Sequence, residues 1–281
     1  MPVVHVLSVV ALLAIIAGVL MPTGKTAVHQ AHNAIDDIRI AAVAEAAFNR
    51  AAFSLLEARP EARWRVDGVP HAFTFDGATV QVMIQDEAGR IDLNQADETL
   101  ISNLLRSTGI DAWSAATLVD CILDWRSTGS TRRVNGAKDA EYRAAGRNGP
   151  RNGPFQSVDE LKMVLGVTPE LFRRIEPALT VYSGRPYIDP QVAPPEALLA
   201  LPGANAGAVT TQVAARLQSP ASFNGTSPTA VAANPFNNLI GHAFSIRVDI
   251  PRLNGRITRS ATIRLTDDPE KPVWILDWRL P

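Results

Sequence analysis

The stretch FTFDGATVQVMIQ, residues 73–85, fixes the reading of the chain around it. Phe73 and Phe75 precede Asp76-Gly77, a dipeptide that readily supplies the left-handed backbone positions of a tight hairpin turn. Val80, Val82 and Ile84 then alternate with Gln81, Met83 and Gln85, the period of two expected of a strand with one face on a core. Toward the C-terminus the same period returns. Phe244, Ile246, Val248 and Ile250 alternate with Ser245, Arg247 and Asp249, Asn254-Gly255 turns the chain, and RITRSATIRL and VWILDWR follow as two more strands. These segments predict an antiparallel meander with one half-buried face.

Between the two sheet portions the signals are helical, over roughly residues 92–182. Asp97 can cap a helix that ends near Gly109, and Asp111 can cap the next, which carries WSAATLVDCILDW. Ser157 with Glu160 three residues later reads as a capping box, and Thr168-Pro169-Glu170 as a cap followed by proline in the first helical position. Four helices joined by short turns predict a domain of their own. The fold class is therefore α+β: an N-terminal helix packed on an antiparallel sheet, with a large all-helical domain inserted between strands.

On the N-terminal side the charge distribution is uneven. Residues 1–24 contain no Asp, Glu, Lys or Arg, and Val3 to Leu20 is an 18-residue apolar run broken only by His5, Ser8 and Gly18. As a helix rising about 1.5 Å per residue, such a run nearly crosses a hydrocarbon core of about 30 Å. It reads as a retained membrane anchor, with Val9, Leu12, Leu13, Ile15 and Ile16 at its centre, rather than a cleaved signal, because the helical pattern resumes beyond Pro22 and Gly24. From Ile35 to Leu56 the apolar residues Ile35, Ile38, Ala42, Ala46, Phe53 and Leu56 recur at helical spacing among Asp36, Arg39, Glu45 and Arg50, an amphipathic stalk with a face to pack on a globular domain. The expected organisation is an apolar helix over 1–24, a stalk over 25–59, a sheet-bearing domain from 60–92 and 184–281, and the inserted helical domain over 93–183.

Composition removes several functions. The chain has 27 basic against 28 acidic side chains and a single cysteine, which excludes an intramolecular disulfide framework or a thiolate metal cage. Thr23-Gly24-Lys25-Thr26 lacks the upstream glycine of a phosphate-binding loop, since Val19 stands where it would be needed. His29 and His32, with Asp36 a turn further, stand on a polar helical face and read as solvated. Cys121 lies among Val119, Ile122 and Leu123 and reads as a buried thiol, and no Gly-x-Ser-x-Gly elbow occurs. An enzyme is not supported. The second reading is a membrane-anchored DNA-binding protein of the helix-hairpin-helix kind, built on the turns at Gly109 and Gly166. Against it, residues 95–183 hold 11 acidic and 11 basic side chains, which give no drive toward a polyanion.

The order of an apolar helix, a hairpin, then DEAGRIDLNQAD, ILDWRSTGSTRRVNGAKDAEY, PFQSVDELKMVLGV, LTVYSG and APPEALLALPG resembles the K-class minor pseudopilin of type II secretion. The resemblance implies a pilin-like α/β fold with an inserted helical domain, a single-pass protein of the bacterial inner membrane with its C-terminal body in the periplasm, and a place at the tip of a short filament. It further implies other minor pseudopilins, the inner-membrane secretion platform and inner-membrane lipid as partners, no nucleic acid, no enzymatic activity, and a role in exporting folded proteins. Ile35, Ile38, Ala42 and Ala46 are then the stalk face that packs on partner helices. DEAGRIDLN reads as a plain strand-to-helix connection with a tight turn at Gly89, and Trp125 of LDWR as the anchor of the inserted domain's core.

The family's loop after DWR resembles an acidic calcium-binding segment, and here the pattern departs from it. Ser127, Gly129 and Lys138 stand where the family carries acids, leaving Asp124, Asp139 and Glu141 as the candidate calcium ligands. From Arg126 to Arg151 seven basic side chains face only two acids, which argues that calcium, the one cofactor the resemblance offers, is lost. The family's basic leader ending in glycine has no counterpart ahead of the apolar run, so the prepilin peptidase site is carried over to no residue.

Overall fold

The computed structural model describes residues 7, 10, 30, 34–57, 59, 62–218, 239–252 and 255–279. Five strands form one antiparallel sheet in the order β1-β2-β5-β6-β7: β1 (Asp67–Phe75), β2 (Ala78–Asp86), β5 (Ala243–Arg252), β6 (Gly255–Leu265) and β7 (Val273–Arg279). Asp76 (φ 49°) and Gly77 (φ 72°) both occupy the left-handed region, so the β1–β2 connection is the two-residue turn whose twist suits its strands. The predicted alternation is met on β2, where Val80, Val82 and Ile84 are buried.

Helix α1, residues 34–55, covers one face of this sheet. Its inward residues are Ile40, Val43, Ala44, Ala47, Phe48, Ala51 and Leu55, which share a core with Val82, Ile84, Phe244, Ile246 and Val248. At about 25 cal/mol per Å² of apolar surface this interface, rather than helix propensity, holds α1 in place. Phe53 is exposed, so the sequence reading that turned it toward the globular body is corrected: the alanine-rich helix has apolar residues on two sides, and the bulkier side, with Val43, Phe48 and Leu55, goes to the sheet.

Between β2 and its sheet neighbour β5 the chain runs through β3 (Ile91–Asp92), α2 (Glu98–Ser107), α3 (Ala112–Arg126), α4 (Asp139–Ala144), α5 (Pro169–Ile175), β4 (Leu179–Thr180), α6 (Pro195–Leu198) and α7 (Ala206–Gln218). Three caps form as their sequences dictate. Asp97 Oδ1 accepts the Leu100 N–H at 2.7 Å, Asp111 Oδ1 accepts those of Trp113 and Ser114 at 3.0 Å, and Thr168 Oγ1 accepts that of Leu171 at 3.1 Å. The Ser157–Glu160 capping box does not form. Ser157 makes no side-chain cap bond to the short 3-10 turn Val158–Met163: the Glu160 N–H goes to the Ser157 carbonyl at 3.3 Å, and the Glu160 carboxylate is taken by Arg151 and the Gln156 N–H.

This region has its own core, with Trp125, Tyr142 and Phe155 at its centre; the Trp125 ring lies 5.9 Å from that of Tyr142 and 6.0 Å from that of Phe155. Two expectations change here. The region is not all-helical, since β3 and β4 pair in parallel through Ile91–Leu179 and Asp92–Thr180. Nor does its core end at residue 183: Ile188, Ala193, Ala197, Leu198 and Val209 pack into it, because the apolar side of α6 faces the helices rather than the sheet.

Candidate partner-binding surface and the loop after helix α3

Helix α1 has two apolar sides. Opposite the sheet, Ile35 and Ile38 are 62% and 71% exposed, Ala42 and Phe53 are exposed, and Ala46 is half-buried. At 100° per residue these positions fall within one stripe about 80° wide, nearly diametrically opposite the buried Ala44, Ala51 and Leu55. Arg39, at the edge of the stripe, reaches back to the β1–β2 turn, where Nη2 donates to the Asp76 carbonyl at 2.7 Å, and Asp37, on the sheet side, faces Arg252 across 3.6 Å. Charges border the stripe along the described length of the helix: Glu45 follows beside Ile38, and the Arg50 guanidinium lies over the Phe53 ring at 5.8 Å from its centroid. At one edge of the sheet β7 adds Trp274, Ile275 and Trp278, all exposed, with Trp278 also touching Phe48 of α1 at a ring separation of 4.8 Å. The anchor residues Val9, Leu12, Leu13, Ile15 and Ile16 lie outside the described residues, as do His29 and His32. Among the described residues, no helix is long and apolar enough to cross a membrane.

The strand-to-helix connection DEAGRIDLN is more than a link. Asp86 caps a 3-10 turn by accepting the Ala88 N–H at 2.8 Å, and its other oxygen lies 2.8 Å from His242 Nδ1, whose Nε2 is 2.7 Å from Arg185. An arginine on Nε2 leaves that nitrogen as an acceptor, so the imidazole proton sits on Nδ1 and is donated to Asp86. Glu87, fully buried, meets Arg90 and Ser245. Gly89 does not serve a left-handed turn; it is packed against the main chain of Val192. A second clamp comes from α7, where Arg216 donates to the carbonyls of Ala193 at 2.7 Å and Pro190 at 2.6 Å. These residues join the two cores. Sequence reading missed them because, apart from the local Asp86–Ala88 and Glu87–Arg90 contacts, their partners stand 23 to 158 positions away.

Asp124, Asp139 and Glu141, the candidate calcium ligands, do not converge on a metal position. The Asp124 carboxylate is fully buried and accepts the Arg133 N–H at 3.1 Å, while the Glu141 carboxylate accepts the Lys138 N–H at 2.9 Å and pairs with Arg132 at 3.4 Å. The bond from the Lys138 main chain holds the Glu141 carboxyl below its ordinary value. Asp139 Oδ1 is close against Gly149. Among the described residues there is no group of three metal-binding side chains. A calcium ion, needing six to eight oxygens, does not fit this arrangement.

Cys121 is buried, and burial pushes its thiol up to about 11, the opposite of what a nucleophile requires. At the two turns considered for DNA, Gly109 (φ 91°) is open, but a Cβ on Gly166 would meet Leu118 Cδ2 at 2.9 Å, so Gly166 faces the core. The neighbouring cation Arg174 is paired with Glu170.

Residues 82–184, from β2 through the helices to just beyond β4, match the family model for type II secretion system (T2SS), protein K. The fold is similar to that of a chain in the crystal structure of the GspK-GspI-GspJ complex from enterotoxigenic Escherichia coli type 2 secretion system. The TM-score is 0.62 at 15% sequence identity, over 89% of this chain and 98% of that one. Among curated proteins none matches.

Proposed function

We propose that this chain, whose residues 82–184 match the family model for type II secretion system protein K, works as a minor pseudopilin at the tip of the pseudopilus. The family is structural, and the chain is not an enzyme. The observation that carries the proposal is the two-sided helix α1: one apolar side is spent on the sheet, and the other, Ile35, Ile38, Ala42 and Phe53, is left facing solvent. Leaving such a stripe in water is costly unless another helix covers it. The partners it suits are the helices of other minor pseudopilins, a reading supported by the GspK-GspI-GspJ complex, one chain of which has a similar fold.

The run from Val3 to Leu20 then acts first as an inner-membrane anchor and, after assembly, as part of the packed helix bundle, with the body in the periplasm and the secretion platform beneath. The helical region reads as a domain inserted between β2 and β5. A region of about 130 residues, from β3 to the end of α7, has a radius of gyration of about 14 Å, bulk that would collide with any subunit stacked above. The tip, where nothing sits on top, is the place it fits. There the protein takes part in the export of folded proteins. Gold labelling of a tagged chain in assembled pseudopili tests the placement: label confined to one filament end is expected, and label spread along the length would refute the tip.

A further inference from the structure

The loop after α3 already contains a cation. Lys138 is 7% exposed, and its ammonium donates to three oxygens: the carbonyl of Asp124 at 2.6 Å, the carbonyl of Ser127 at 2.9 Å and Oδ1 of Asn152 at 2.8 Å. An ammonium has three N–H donors and no acceptor, so its capacity is used completely. Two of the acceptors belong to the C-terminal end of α3, which presents partial negative charge; the Asp124 carbonyl there also accepts the Ser127 N–H at 3.3 Å. The third comes from Asn152, which takes a left-handed backbone (φ 54°), uncommon outside glycine, and thereby turns its amide oxygen to the nitrogen. No carboxylate lies within ion-pair distance of Lys138 among the described residues. The cage is made of neutral oxygens, as for a metal ion, yet what it encloses is a side chain.

We propose that the Lys138 ammonium is the resident cation of this loop, closing residues 127–152 onto the end of α3 in the way a bound metal ion otherwise would, so that the loop is ordered without calcium. The same lysine fixes both ends of its own site. Its main-chain N–H occupies the Glu141 carboxylate, and its side chain occupies the carbonyls of Asp124 and Ser127. Calcium entry would require expelling a covalently attached cation from a segment already carrying seven basic side chains against two acids.

Thermal unfolding of the full chain in detergent tests this. For the unaltered protein, neither millimolar CaCl₂ nor EDTA should move the melting temperature; a rise of several degrees with calcium, or a fall with EDTA, overturns the proposal. Lys138→Ala should lower the melting temperature, and methylammonium at about 0.1 M should restore part of the loss where tetramethylammonium, which cannot donate a hydrogen bond, restores none. Equal effects of the two ions, or no loss on substitution, overturn it. A reading without any variant comes from amine acylation followed by mass spectrometry. In the native protein Lys138 should react at least about 10-fold more slowly than exposed Lys162, a protection lost on unfolding, and equal rates in the native state would refute the caged ammonium.

Discussion

A Cβ placed on Gly89 would stand 2.6 Å from the carbonyl carbon of Val192, so the two main chains touch where any other residue would hold them apart. Around this point the Ala88 carbonyl accepts the Asp189 N–H at 2.7 Å and Gln85 Nε2 donates to the Val192 carbonyl at 2.7 Å. Val192 belongs to the core under the sheet, and its neighbour Ala193 to the core of the helices. Gly89→Ala should therefore destabilise by about 1–3 kcal/mol through overpacking, read as a lower denaturant midpoint with an unchanged slope.

The two sides of α1 should respond oppositely to the same change. Ile38→Asp should leave stability within about 0.5 kcal/mol, since the side chain is already in water. It should weaken a stoichiometric complex with the minor pseudopilins proposed above as partners, measured by co-elution. Val43→Asp places a carboxylate in the core and should prevent stable folding. An unaltered complex with Ile38→Asp would refute the partner face.

Trp125 centres the aromatic group that organises the helical region. Trp125→Ala should cost about 3–5 kcal/mol, with loss of the helical region's near-ultraviolet circular dichroism, and Phe155→Leu considerably less because volume is largely kept.

Alkaline pH should weaken the fold through two buried acids. Burial pushes the Cys121 thiol up to about 11 and the Tyr142 hydroxyl up to about 12. In the unfolded chain they lose protons nearer 8.5 and 10. Over that interval the unfolded state binds fewer protons than the native one, so stability falls as pH rises from about 9 towards 12, and these two groups contribute no slope below about pH 8. Denaturant midpoints measured from pH 7 to 11 should show this decline, and Cys121→Ala should remove its earlier part.

What was legible in the sequence was what neighbouring residues decide. Asp76-Gly77 specifies its turn, and Asp97, Asp111 and Thr168 specify their caps, because each needs partners only two or three positions away. Ser157 and Glu160 had the right spacing, but Arg151, from outside the motif, took the carboxylate. The strands β3 and β4 are two residues each, too short to display a period. On α1 both apolar stripes were visible as residues, but which one meets the sheet depends on the shape of the sheet. The joint at Gly89, the Arg216 clamp and the Lys138 cage are contacts between distant segments, and composition carries no trace of them.

The pairing of β2 with β5 has a bearing on how the chain reaches its native state. Val82 and Val248 oppose each other in the sheet, yet the whole of the helical region is threaded between them. Each hairpin, β1–β2 and β5–β6, can form from local sequence, but bringing them together carries the entropy of closing a very long loop. If the intervening helices collapse first, that loop becomes a compact body whose ends meet where Asp86 contacts His242, and the search shortens. The order of events is then set by the architecture: the helical region first, the two halves of the sheet last, with the sheet-facing side of α1 waiting until both halves are present.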